Sequence, residues 1–230
     1  MQSRIKEFLL LGLSLLLGLS VLGYFIAESP GNFRAFERTV NVKGLSEREV
    51  MADRAIWPIR FSVAANDIDA LYDELDRDRE LVLDFLDRAG FTAEAITSTA
   101  PSVVDKVAQN YGGQRVEIRY TGEQTVTVYS DRVLDVRTAS ARMAELGKAG
   151  VLLGANNYEG ATEYLFTGLN DIKPEMIEEA TRNAREVAMK FARDSESTLG
   201  KIKRARQGQF SITNRDRNNP HIKRVRAVSY

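Results

Sequence analysis

One histidine, no cysteine and thirty-two carboxylates make up most of the reactive inventory of this 230-residue chain. His221 sits beside Pro220 in a basic, polar stretch with no Ser or Cys nucleophile near it in sequence. A catalytic triad needs its base within hydrogen-bond reach of a nucleophile, so His221 reads as a solvated loop residue. Transition-metal sites draw on several His or Cys ligands, which this chain cannot supply. Calcium asks only for oxygens, and Asp67, Asp69, Asp73 and Glu74 are dense. They lack the interior glycine of an EF-hand loop, and a helix would splay them apart. Neither G-x-x-x-x-G-K-[ST] nor G-x-G-x-x-G occurs, so no phosphate cradle is encoded in those forms. The expectation is a non-enzymatic protein with no catalytic residues, no cofactor and no metal.

The charged residues segregate instead. From Asp67 to Glu94 ten acidic residues face only Arg77, Arg79 and Arg88, a balance of −7, while from Lys201 to Arg226 nine basic residues face only Asp216, a balance of +8. Opposite poles on a neutral chain steer copies together head to tail, and such a contact closes into a ring when its rotation permits. The candidate self-association surface is therefore Asp73, Glu74, Asp76 and Asp78 on one side, with Arg204, Arg206, Arg224 and Arg226 on the other. Pairing within one monomer, or two ordinary solvated faces, is the competing reading. The basic tail also suits anionic lipid headgroups or an envelope polymer. Nucleic acid is not an expected partner: Phe210 is the only aromatic between Lys201 and Val228, too few for a stacking platform.

Residues 1–7 carry Arg4 and Lys6, and Phe8 to Ala27 then run for twenty positions without a charge. A helix of that length reaches about 30 Å, the thickness of a bilayer's hydrocarbon core. Positive charge on the N-terminal flank keeps that end cytoplasmic and sends residue 28 onward across. Three readings compete: a retained single-pass anchor in a bacterial inner membrane with the C-terminal domain in the periplasm, a signal peptide cut after Gly23 that leaves a soluble periplasmic protein, or, least favoured, a buried helix of the globule. Without the leader the chain holds thirty basic and thirty-one acidic residues.

The elements that must position these residues are legible from periodicity. Residues 28–37 are a Pro/Gly/Asn linker. Strands are expected at Arg38–Lys43 and at Ala55–Val63, where Ala55, Trp57, Ile59, Phe61 and Val63 share a face; Pro58 lacks an amide donor and favours an edge or bulge. Asn66 and Asp67 cap a helix that Gly90 ends. A strand at Glu94–Ala100 and a polar loop with Tyr111, Gly112 and Gly113 lead into the clearest strand, Arg115–Tyr129. A second helix runs from Ser130 or Asp131 to about Lys148, closed by Gly150. A turn at Gly154, Asn156 and Asn157 precedes a strand near Ala161–Gly168. A third helix opens at Pro174 and ends at Gly200. Strands near Lys201–Phe210 and Ile222–Tyr230 finish the order ββαββαβαββ. The fold class is α+β: a largely antiparallel sheet with about three helices on one face.

In this order the segments RTVNVKGLSEREVMADRA (Arg38–Ala55), FLDRAGF (Phe85–Phe91), YTGEQTVTVYSDRV (Tyr120–Val133), AGVLLGANNYEG (Ala149–Gly160) and EEATRNAREVAMKFARDSESTLGKI (Glu178–Ile202) form a set of structural phrases. Together the chain resembles the SIMPL-domain family of bacterial periplasmic and membrane-anchored proteins over residues 38–230. The resemblance implies an extracytoplasmic domain of the immunogenic or oxidative-stress-defence type. In one relative it implies a ring-shaped oligomer, so a homo-oligomer is expected here. It brings no active-site residues. Trp57-Pro58 departs from the plain apolar strand usual in the family. The alternative function is an extracytoplasmic binding module for a peptide, lipid or envelope polymer; a hydrolase is the distant third.

Overall fold

Strand β2 (Arg54–Ala65) is the one on which the larger core is assembled. Its odd residues Ala55, Trp57, Ile59, Phe61 and Val63 are all buried, as the alternation predicts. The computed structural model describes residues 12–25, 39–109, 117–154 and 162–230. β2 pairs antiparallel with β5 (Tyr120–Ser130) along its length, in the register Ala55 with Ser130 through Ala65 with Tyr120. β3 (Ile96–Ser98) and β4 (Ser102–Asp105) both pair with the far edge of β5, and β6 (Glu163–Leu165) pairs with Arg54–Ile56. Pro58 lies beyond the β6 pairing, on a stretch of β2 with β5 as its one strand neighbour among the described residues. This is the edge setting that a residue without an amide donor favours.

Helix α2 (Ile68–Arg88) begins where the Asp67 side chain accepts a hydrogen bond from the Ala70 N–H at 3.0 Å. It ends at Gly90, whose φ of +85° is the left-handed conformation that favours glycine. Leu71, Leu75, Val82, Phe85 and Leu86 descend from α2 onto the sheet, and Trp57 meets Phe85 and Phe91 edge to face at 6.5 and 6.3 Å. Gly122 on β5 lets Leu75 approach: a Cβ there would lie 2.7 Å from the leucine's Cδ1. Two helices close the same core. α4 (Val133–Ala141) contributes Val136, and α5 (Ala144–Lys148) contributes Leu146.

A second, three-stranded antiparallel sheet has the order β1 (Gly44–Met51), β8 (Ile222–Ser229), β7 (Ser211–Asn214). Helix α6 (Leu169–Asp194) lies on one face, where Met176 is buried with Val225 and Ala227. Gly44 permits this contact, since a Cβ would fall 1.8 Å from the Ala180 carbonyl oxygen. The chain divides into a larger unit, residues 43–184 with 203–230, and a smaller one, residues 1–42 with 185–202. In the smaller unit residues 12–25 form the exposed helix α1; they are the middle of the predicted apolar span, whose ends lie outside the described residues. Among the described residues no helix is long and apolar enough to cross a membrane.

The α+β class and the antiparallel pairing agree with the sequence reading, and several details differ. There are two sheets in place of one. Two short helices accompany the three long periodic segments: α3 (Lys106–Gln109) follows β4, and α5 is split off because the second predicted helix breaks at Arg142–Met143. The first strand spans Gly44–Met51, with 39–43 outside it. Its buried positions are Gly44 and Ser46, so apolar alternation does not mark it. β4 falls in what reads as a polar loop. α6 starts at Leu169, five residues before Pro174, because Asp53 caps it from a distant strand: its carboxylate accepts from the Thr167 N–H (2.9 Å), the Thr167 hydroxyl (3.0 Å) and the Gly168 N–H (3.1 Å). α6 ends at Asp194 and not at Gly200; Ser195 donates back to the Phe191 carbonyl at 2.8 Å, and Glu196 turns left-handed at φ 51°. The strand expected at Lys201–Phe210 is instead Ser211–Asn214. The linker 28–37, Tyr111 to Gly113, Asn156 and Asn157 lie outside the described residues.

Candidate functional site

The face of the three-stranded sheet turned away from α6 carries a ladder of opposite charges. β1 alternates, so Leu45, Glu47, Glu49 and Met51 point away from α6, and the register sets Glu47 opposite Arg226 and Glu49 opposite Arg224. Arg224 Nε lies 3.2 Å from Glu47 and its Nη2 3.7 Å from Glu49, while Arg226 Nε is 3.9 Å from Glu47 and Arg215 Nη1 is 3.7 Å from Glu49. The apolar pairs Leu45 with Val228 and Met51 with Ile222 flank the ladder at its two ends. These half-exposed pairs set the register of β1 on β8; each is worth about 0 to 1 kcal/mol in stability. The α6 face is tied down separately, by Arg48 to Glu175 at 2.7 Å, Ser46 to Glu179 at 2.7 Å and the Asn183 amide to the Leu45 carbonyl at 2.8 Å.

Where the two sheets meet, the corner Ala52–Asp53 and the start of β8 bring titratable groups together. The Ala52 N–H donates to the His221 carbonyl at 2.8 Å, and the Asp53 N–H to the Leu165 carbonyl at 2.9 Å. His221 is only 4% exposed, its ring edge-on to Tyr164 at 6.1 Å. Its Nε2 lies 3.4 Å from the Arg137 guanidinium on α4. Arginine has donors only, so Nε2 accepts and the proton of the neutral ring sits on Nδ1. Burial, and then the Arg137 and Arg215 charges, push the His221 pKa below its ordinary value. Lys223, 8% exposed, donates to the Asn214 side chain, and burial lowers its pKa against the pull of Glu163. Asp216 accepts from Arg215, the Asn219 amide and the backbone N–H groups of Asn218 and Asn219, which hold its pKa down to about 2.

This frame of two antiparallel sheets can be set beside known families. The family model for SIMPL, described as a protein of unknown function (DUF541), matches residues 40–228. The chain belongs to the SIMPL family. No curated protein matches it. In this SIMPL chain the histidine read as a solvated loop residue is a buried junction residue, because the strand β8 begins just after it and carries it inside.

The eight residues of the candidate self-association surface fall in different settings. Asp73, Glu74 and Asp76 are exposed on the outer side of α2, with Asp76 bound to Arg79 at 3.1 Å. Asp78 is buried and meets Arg77 at 3.1 Å. Arg224 and Arg226 are engaged within the monomer by Glu47 and Glu49, while Arg204 and Arg206 are exposed in the segment before β7. Glu47 and Glu49 were invisible as partners because they lie far from β8 in sequence; the alternation of charge in SEREVM was the one available signal. Among the described residues no cluster of three or more His, Asp or Glu is arranged to hold a metal ion. A shallow depression of about 300 Å³ lies beside Phe91, Thr92 and Tyr129. Its two guanidiniums are engaged: Arg132 donates to the Gly90 carbonyl at 2.7 Å and Arg54 to the Asp53 carbonyl at 2.9 Å.

Proposed function

We propose that this SIMPL protein is a non-enzymatic, membrane-tethered envelope protein that acts by association with further copies of itself, its C-terminal domain on the periplasmic side of a bacterial inner membrane. A role in envelope or oxidative stress defence is part of this reading. The observation that supports association is the edge of the three-stranded sheet. β7 is its last strand, and all four of its residues are exposed. Arg215 N–H donates to the Ile222 carbonyl at 2.9 Å, so by alternation Ser211 and Thr213 bond to β8 while Ile212 and Asn214 direct their backbone groups outward. An outward row of peptide groups is a template for strand addition. The charges, half of them satisfied in cis, then tune register and not affinity.

The experiment is light scattering on the full chain in detergent, with and without Ile212→Pro. Proline removes an outward N–H without touching a bond to β8. Assembly through this edge predicts a discrete large particle that the variant reduces to monomer, with its melting temperature preserved. A wild-type monomer at every salt concentration rejects self-association. Mass measurement of the N-terminus in its native membrane tests the tether separately, since loss of the residues before Tyr24 ends it. A second reading, a binding module for lipid or an envelope polymer, is favoured by one basic corner.

A further inference from the structure

The corner where β1 begins and β8 ends is both basic and apolar. Residues 206–208 run beside the end of β8: Arg206 and Tyr230 exchange backbone hydrogen bonds at 2.9 and 2.8 Å, and Gly208 N–H reaches the Val228 carbonyl at 2.8 Å. Leu45, Val228 and Tyr230 share the sheet face turned away from α6, with Leu45 38% and Tyr230 49% exposed. Lys43 stands over the Tyr230 ring, its Nζ 5.1 Å from the centroid. Lys43, Arg204 and Arg206 are exposed and form no salt bridge among the described residues. The sequence holds no acidic residue between Glu196 and Asp216, the stretch that carries Arg204 and Arg206.

We propose that this corner docks on anionic lipid headgroups of the membrane that holds the chain. A tyrosine and small aliphatic surface ringed by unpaired Lys and Arg matches the chemistry of a bilayer interface, where rings sit at headgroup level and cations meet lipid phosphates. A soluble partner offers the same charge without the apolar layer that Leu45, Val228 and Tyr230 would enter. The route of the chain supports this occupant. Lys43 is the first residue of the larger unit, and the sixteen residues from Ala27 to it span at most about 55 Å fully extended. The inference rests on the tethering reading, and its test separates the two.

The absence of cysteine allows a single label on the full chain. Ala205→Cys, exposed beside the corner, and Thr97→Cys on β3 each carry an environment-sensitive dye. The protein is reconstituted in vesicles of phosphatidylcholine alone, or of phosphatidylcholine mixed with phosphatidylglycerol. The expected result is flotation with both, and a blue shift at position 205 only with the anionic lipid, none at position 97. Combined Lys43→Gln, Arg204→Gln and Arg206→Gln abolishes the shift, since each charge accounts for about a fivefold change in local attraction. Flotation with both vesicles and no lipid-dependent shift at 205 overturns the proposal and leaves the tether standing. Failure to float with phosphatidylcholine overturns the tether; binding to the anionic vesicles alone, lost in the triple variant, still supports the corner. A shift at 205 that needs protein concentration and no lipid assigns the corner to a second copy and overturns the proposal.

Discussion

His221 is a single residue on which a pH dependence depends. It is buried against Tyr164, faces the Arg137 guanidinium across 3.4 Å, and feels the opposing charges of Arg215 and Asp216. Its folded pKa lies below the ordinary histidine value, so the unfolded chain takes up the proton more readily and stability rises with pH in this range. Stability is full above the unfolded value of about 6.5 and is lost as pH falls toward the lower folded one. Melting temperature should drop across that window in the wild type and stay level in His221→Gln; parallel slopes would refute the assignment. Asp216 does not confuse the measurement, because its depressed pKa of about 2 confines its loss to far more acidic solution. Nothing in the sequence marks His221 as buried. Its neighbours are polar, and what encloses it comes from β6 and α4.

At the scale of elements, the segments that bury one face of a long repeat were readable and those held by distant partners were not. β2 and α2 carry their core positions in their own periodicity, and Asp67 and Gly90 mark the ends of α2 in sequence. β1 does not, since glycine and serine fill its inward positions. The start of α6 is set by Asp53, more than a hundred residues earlier, so Pro174 gave a plausible but wrong origin. That cap is testable. Asp53→Ala removes the acceptor for two N–H groups and a hydroxyl and a negative charge at a helix N-terminus, a loss of about 1–2 kcal/mol. Urea unfolding should show a lower midpoint with an unchanged slope, and Asp53→Asn should recover part of the loss. Equal stability of Asp53→Ala and wild type would remove the cap from the account.

Across the whole molecule, net neutrality and opposite poles were legible as sums, yet the sums could not say which charge meets which. Three of the nine basic residues of the tail, Arg215, Arg224 and Arg226, answer Glu47 and Glu49, residues outside both poles. The two sheets, likewise invisible in the string, meet at Ala52–Asp53 and His221 and should melt together. Trp57, the one tryptophan, reports from the five-stranded core. Val225→Ala, in the three-stranded core, should cost about 1–3 kcal/mol. Tryptophan fluorescence and far-ultraviolet circular dichroism should register the same shift in midpoint. A change in one signal alone would mean the sheets unfold independently.

The pairing of β1 with β8 joins a strand near the start of the described domain to one at residues 222–229. As the polypeptide leaves the ribosome, β1 emerges early and waits without its hydrogen-bonded neighbour until nearly all the intervening chain has followed. Such a distant closure is slow. During that interval the row of peptide groups on β1 is open to strangers, and the glutamates that later answer arginine serve first to keep them away.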